Sequence, residues 1–263
     1  MVIDEAHIVA QWGSEFRPSY GQVGFLRALV PSSTPFLAVS ATMDPNVYKS
    51  VTKALEYDLS QTYEINLGNY RTNIRQEVRI MTGNICDFKA DFDFICHEAK
   101  SGKFCHRMIF VDSTIAVQDL CIQLQKRVPK SMRDKIAFYC TRKGLTAKTL
   151  LMRMYTHGKI DILFTTEAAG MVSNLCYSFT ALQTNFQGCD IKDIGEVIQY
   201  GTPSSLDVWV QRAGRAGRQS DVNAHAILFV EPSIFRKKKK SQAKAKKKSH
   251  KGDAVPAIAH TVY

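Results

Sequence analysis

Two clusters of residues in this sequence have the types and spacing to do chemistry. Near the amino end an apolar stub, residues 1–3, runs directly into Asp4, Glu5, Ala6 and His7. Adjacent carboxylates at the end of an apolar strand suit a magnesium–nucleotide site. One carboxylate orients the ion through an oxygen, and its neighbour accepts a proton from an attacking water. Far along the chain, residues 211–218 read QRAGRAGR, with arginines at 212, 215 and 218 and glycines at 214 and 217. Arginines aimed at a γ-phosphate stabilise the charge that builds as it is transferred, and glycine lets the backbone pass close to a ligand.

Such residues need a scaffold that brings them into register. Short apolar runs, FLAVS (36–40), RMIFV (107–111), KIAFY (135–139), IDILFTT (160–166), EVIQY (196–200) and AHAILFV (224–230), have the composition of buried strands. Amphipathic stretches at 47–57, 115–127, 146–156 and 205–213 lie between them. Alternating strands and helices with uniformly apolar strands predict an α/β fold, a parallel sheet covered by helices on both faces. The full alternation from about residue 107 to 230 makes one domain, whereas the first 80 or so residues hold too few strands to close a second. In sheets of this kind chemistry gathers at the carboxyl ends of the strands, where Asp4 and Glu5 fall.

VIDEAH, SAT (Ser40 to Thr42) and QRAGRAGR, in this order and spacing, resemble motifs II, III and VI of a superfamily 2 helicase. Between the first two, QWGSEFRPSY (11–20) resembles the aromatic-rich loop of the RecQ family, a loop that DEAH-box RNA helicases lack. The resemblance runs from residue 1 to about 232. It implies P-loop NTPase architecture with RecA-like lobes: the rear part of a first lobe (1–80), a complete second lobe (81–232) and a lysine-rich tail (233–263). By matching position it implies that Asp4 holds Mg2+ through water, that Glu5 is the catalytic base and that His7 couples the nucleotide site to the aromatic loop. Trp12, Phe16 and Arg17 of that loop would contact DNA by stacking and by phosphate pairing. The family has His-Asp where this chain has Ser14 and Glu15. Ser40 and Thr42 would link ATP state to movement between lobes. Residues 108–114 look like motif IV and 162–171 like motif V, which puts Ser113, Thr165 and Thr166 at the DNA and Gly170 at the nucleotide. Gln211 and Arg212 would also bind nucleotide, and Arg215 and Arg218 would be arginine fingers. The implied activity is ATP-dependent 3′-to-5′ translocation on single-stranded DNA with unwinding of duplex junctions.

Three departures qualify the resemblance. A motor of this class cradles phosphates in a Gly-rich loop ending in Lys-Ser/Thr, but the only Gly-Lys pairs are Gly102-Lys103 and Gly158-Lys159, followed by Phe104 and Ile160. The 263-residue polypeptide by itself is therefore expected neither to bind ATP tightly nor to hydrolyse it, and a non-enzymatic nucleic-acid-binding remnant is the rival expectation. A DEAH-box RNA helicase is a third, which leaves the aromatic loop unexplained. Second, AAGM (168–171) is separated from GCDIKDI (188–194) by sixteen residues, 172–187, whose removal restores an uninterrupted motif V; a translated intron or a surface insertion accounts for them. Third, no cysteine follows Cys189, so the zinc subdomain that often follows motif VI in this family is not expected, and no metal other than magnesium is implied.

Composition supplies the background. The chain carries 35 Lys+Arg against 24 Asp+Glu, a net charge of +11. Residues 233–263 hold ten of the basic residues and one acid, so nine of the eleven net charges sit there and the preceding 232 residues carry only +2. So charged and apolar-poor a segment is expected to be a disordered arm, with a nuclear-localisation or nucleic-acid-binding role (Arg236 to Lys251). Seven scattered cysteines without a CxxC pair favour reduced thiols in a nuclear or cytosolic protein, and no membrane association is expected.

Overall fold

The computed structural model describes residues 1–12, 22–83, 88, 90–140, 142–166, 191, 194–219 and 221–235. Among these, the chain groups into two compact units: Met1–Thr72 with Ser205–Gly214, and Asn73–Ser204 with the residues from Arg215 onward.

In the first unit, β1 (Val2–Ile3) pairs in parallel with β2 (Leu37–Ala38), Val2 opposite Leu37 and Ile3 opposite Ala38. The backbone bonds continue past the strands, with Val39 N donating to Ile3 O and Ala6 N donating to Val39 O, both at 2.9 Å. This register lays the turn after β1 beside the exit of β2. Helix α1 (His7–Trp12) follows the turn, and α2 (Pro45–Ala54) follows β2. Asp44 caps α2 by accepting from Asn46 N at 2.7 Å and Val47 N at 3.0 Å, with Pro45 at the position that has no intrahelical N–H to lose. Ile3, Ala6, Val9, Val51 and Leu55 close a small core, joined by Val47 and Tyr57 at its margin. Helix α6 (Leu206–Ala213), capped by Ser205 accepting from Val208 N at 3.2 Å, belongs to this unit despite its distance in sequence.

The second unit is a six-stranded, wholly parallel sheet in the order β3-β8-β7-β4-β6-β5. Its strands are β3 (Ile74–Ile80), β4 (Arg107–Phe110), β5 (Ile136–Tyr139), β6 (Ile162–Thr165), β7 (Glu196–Tyr200) and β8 (Ala224–Val230). The α/β expectation holds, and all six apolar runs contain strands. Strand β3 was not legible as one: IRQEVRI alternates charge with apolar residues because it lies at a sheet edge, where charged side chains blunt an open ladder. It also carries the second unit back to Asn73, ahead of the expected division near residue 80.

Strand alternation builds two cores. Ile109, Val111, Ile162, Phe164, Ile198 and Tyr200 face α3 (Asp93–Lys100) and α4 (Thr114–Arg127). Met108, Phe110, Leu163 and Val197 face α5 (Leu145–Thr156), which contributes Met152 and Tyr155. Helices therefore cover both faces, which is what lets the strands be apolar throughout. On the first face Phe92 is fully buried, with ring centroids 4.9 Å from Tyr200 and 5.3 Å from Phe88. Beside it the buried carboxylate of Asp91 accepts from Tyr200 Oη at 2.9 Å and from Thr82 N and Oγ1 at 3.1 and 2.9 Å.

At the amino end of β4 sits a buried guanidinium. Arg107 makes a fork to Glu98, Nη2 to Oε1 at 2.9 Å and Nη1 to Oε2 at 3.1 Å, and its Nε donates to Glu196. Burial works against its charged form, but Glu98 and Glu196 outweigh it and push the pKa of Arg107 up. Among the described residues no helix is long and apolar enough to cross a membrane.

Candidate functional site

The chain folds so that three separate sequence clusters meet in the first unit. The turn after β1 carries Asp4 and Glu5 into solvent, with Glu5 N donating to Asp4 Oδ1 at 2.9 Å. Glu5 adopts φ +51°, a left-handed conformation that costs a non-glycine residue about 1–2 kcal/mol and is retained where the surroundings impose it. From this kink Glu5 O accepts from Ile8 N at 2.9 Å, and α1 begins with His7 turned inward, only 6% exposed.

His7 is the hub. Its Nδ1 lies 2.8 Å from Ser40 Oγ, and its Nε2 lies 3.3 Å from Gln211 Nε2. Ser40 has a single hydroxyl hydrogen, donated to Thr42 O at 2.7 Å, while Thr42 N donates back to Ser40 Oγ at 3.2 Å. Ser40 therefore accepts from His7, which places the imidazole proton on Nδ1 and leaves Nε2 with a lone pair. The Gln211 amide donates one hydrogen to that lone pair and the other to Thr42 Oγ1 at 3.1 Å. Glu5 Oε2, 3.4 Å from His7 Nδ1, is a second acceptor on the same side. Thr42, 2% exposed, is as buried as the histidine. The result is one continuous path, Glu5–His7–Ser40–Thr42–Gln211, joining DEAH, SAT and the start of QRAGRAGR.

The octapeptide is divided between the units. Gln211 and Arg212 lie in the last turn of α6, Arg212 buried, and Arg71 Nη1 reaches Gly214 O at 3.4 Å. Arg215 and Arg218 group with the second unit, Arg215 half-buried and Arg218 exposed. Between them Ala216 is in the core, and Gly217, at φ +51°, donates its N–H to Ile194 O at 2.9 Å. This turn lies at the amino edge of the sheet, next to the starts of β7 and β8.

Ser113, Thr165 and Thr166 gather at the opposite, carboxyl edge, because β4 and β6 are parallel neighbours with Phe110 opposite Thr165. Val111 N donates to Thr165 O at 2.9 Å, tying the two exits together. The Ser113 hydroxyl caps α4 by accepting from Ala116 N at 3.3 Å. Thr165 is fully buried with its hydroxyl donating to Thr166 O at 2.9 Å, and Thr166 is nearly so. In the second unit these three are thus brought together with one another but not with Arg215 and Arg218. Trp12 ends α1, so the expected aromatic loop begins inside a helix. Phe16, Arg17, Gly170, the 172–187 insertion and the tail from 236 lie outside the described residues.

An exposed carboxylate pair fits a hydrated magnesium ion, which takes one or two carboxylates and keeps its waters. Among the described residues no group of three or more His, Cys, Asp or Glu is placed to cage a metal. One residue that no motif singles out is Asn73, whose side chain donates to Gly217 O.

Residues 91–220 match the helicase conserved C-terminal domain family. Over 240 residues the chain is 27% identical to the ATP-dependent DNA helicase RecQ of Pasteurella multocida (strain Pm70), covering 89% of this chain and 32% of that protein. It is 26% identical over 227 residues to the ATP-dependent DNA helicase Q1 of Mus musculus, covering 86% and 31%. The chain thus spans about a third of the length of these relatives. Among solved structures it resembles the Mycobacterium smegmatis helicase Lhr bound to ssDNA and AMP-PNP, with a TM-score of 0.61 and 17% identity over 87% of this chain and 28% of that one. Dbp5 of S. cerevisiae bound to RNA and ADP BeF3 gives a TM-score of 0.59 and 18% identity over 88% and 52%. At these identities the likeness is one of fold.

Proposed function

We propose, for a chain that belongs to the RecQ family of superfamily 2 helicases, that it supplies the coupling and charge-stabilising parts of an ATP-dependent 3′-to-5′ DNA helicase. The observation that carries this reading is the hydrogen-bonded path from Glu5 through His7, Ser40 and Thr42 to Gln211. A chemical change at the DEAH carboxylates moves His7, and His7 holds the helix that leads into Arg215 and Arg218. In this reading Asp4 orients a hydrated magnesium ion and Glu5 takes the proton of the attacking water. Arg215 and Arg218 act on the charge that develops on the γ-phosphate, an effect worth about three to five powers of ten in related phosphoryl transfers. Magnesium, when bound, would supply charge neutralisation.

Single-stranded DNA is the proposed polymer because the relatives are DNA helicases by name and the Lhr neighbour holds ssDNA. Ser113, Thr165 and Thr166, buried or engaged in capping, would act through the backbone they position at the carboxyl edge, together with Trp12, Phe16 and Arg17. The 263-residue polypeptide has no Gly-Lys-Ser/Thr sequence, so by itself it should bind single-stranded DNA and turn over no ATP; DNA-stimulated turnover by it would overturn that part. The enzymatic part is tested in a chimera that joins the preceding segment of the Pasteurella multocida relative ahead of Met1. DNA-dependent ATP hydrolysis, abolished by E5Q and lowered at least a hundredfold by R215A, is expected. Hydrolysis that survives E5Q refutes the assignment of Glu5 as base.

A further inference from the structure

Asn73 stands outside every motif in the sequence, yet its side chain reaches three carbonyls of the arginine turn and the residues after it. Its Nδ2 lies 2.7 Å from Gly217 O, 2.9 Å from Val222 O and 3.2 Å from Gln219 O. An amide nitrogen has two hydrogens, so two of these are full bonds and the third is shared. Its backbone carbonyl also accepts from Ala224 N at 2.9 Å, the first rung between β3 and β8. A single residue therefore pins the turn and the strand that follows it.

The turn depends on that grip. Gly217 has φ +51° and no room for a side chain: an added Cβ would lie 2.8 Å from Ala224 Cβ and 2.9 Å from both Asn73 Nδ2 and Val222 O. Asn73 occupies the space a side chain at 217 would need, and it donates to the carbonyls of Gly217, Gln219 and Val222. Arg215 and Arg218 flank this fixed point by two residues and one. Long guanidinium side chains lose little precision only if their backbone is held, and in phosphoryl transfer a displacement of about 1 Å costs on the order of a hundredfold in rate.

We propose that Asn73 is a positioning residue: by clamping the carbonyls of Gly217, Gln219 and Val222 it presents Arg215 and Arg218 as a fixed pair to a polyphosphate. This rests on the reading of those arginines as phosphate-facing groups, and the test separates the two. In the 263-residue chain, the Arg215 and Arg218 Nε–Hε signals are followed by NMR while inorganic tripolyphosphate is added, and amide exchange is measured across the second unit. In the wild type both signals are rigid and shift together with one dissociation constant. N73A should mobilise both, speed exchange over residues 215–223 and weaken tripolyphosphate binding about tenfold, while β7 amides remain as protected as before. N73D, with the same shape but a carboxylate facing three carbonyls, should be worse. N73S, which keeps one donor and adds no bulk, carries the comparison where N73A does not fold. A merely structural role would loosen the whole sheet and leave the affinity of the folded molecules unchanged, and that result, or rigid arginines in N73A, overturns the proposal. If R215A and R218A leave wild-type tripolyphosphate binding intact, the phosphate reading is what fails, and the order of the two arginines in N73A still decides for or against Asn73.

Discussion

The path between His7 and Gln211 can be tested without any enzymatic activity. Both tryptophans of the chain, Trp12 and Trp209, belong to the first unit, and Trp209 is 4% exposed. Urea unfolding followed by tryptophan fluorescence therefore reports this unit alone. Gln211→Ala removes two hydrogen bonds, one at 3.3 Å to His7 and one at 3.1 Å to Thr42. At about 1 kcal/mol net for each, it should destabilise the unit by about 2 kcal/mol, a fall of about 1 M or more in the urea midpoint. His7→Ala will cost more, since it also removes packing and the Ser40 bond, so single substitutions do not isolate the contact. A double-mutant cycle does. Only one of the two Gln211 bonds goes to His7, so the coupling between H7A and Q211A should be about 1 kcal/mol, and T42V with Q211A should give a similar value. Coupling within about 0.3 kcal/mol of zero in both cycles is the level found for independent sites. That outcome would refute the path, and with it the idea that the carboxylate turn and helix α6 move as one.

Other consequences follow from groups outside the path. Arg107→Ala leaves Glu196 buried without its main counter-charge and should cost about 3–5 kcal/mol, whereas Arg107→Met combined with Glu196→Gln should recover most of this in thermal unfolding. The Cys121 thiol, on the buried face of α4, is pushed up to about 12 by that burial, with Lys143 opposing. Iodoacetamide at pH 8 should leave it unmodified in the native protein and modify it after unfolding, as mass spectrometry of the peptide will show. The folded state holds this proton longer than the unfolded chain does. Stability should therefore fall as pH rises above about 8.5, the range in which an unfolded thiol ionises, and C121A should flatten that slope. Deleting residues 233–263 removes nine net charges and should reduce the salt dependence of single-stranded DNA binding in fluorescence anisotropy, while contacts made by the folded part persist. A fluorescent fusion to the same segment should accumulate in the nucleus if the lysines are a localisation signal.

The legible parts of the molecule were those whose information is local. The interior strands announced themselves because burial on both faces forces apolar runs, and α2, α4, α5 and α6 because one face of each is apolar. Strand β3 was hidden by the charges an edge requires. The chemical motifs were visible as words, but the bonds that join them were not. Gln211 meets His7 across 204 residues and Thr42 across 169, and Asn73 meets Gly217 across 144. Nothing in the types of His7, Ser40, Thr42 and Gln211 fixes which hydroxyl donates or where the imidazole proton sits; those follow only from the distances. Thr165 shows the converse case, since a hydroxyl that suits a strand contact in the sequence is spent inside the sheet on Thr166 O.

Because the first unit is completed by Ser205–Gly214, a segment inserted in the sequence of the second, no single cut of the chain yields two intact halves. Cleavage between Thr72 and Asn73 leaves 1–72 without α6 and leaves α6 on a piece whose own core does not include it. The two pieces are in that sense complementary rather than modular, and a lobe exchanged between relatives has to bring the helix of its counterpart with it.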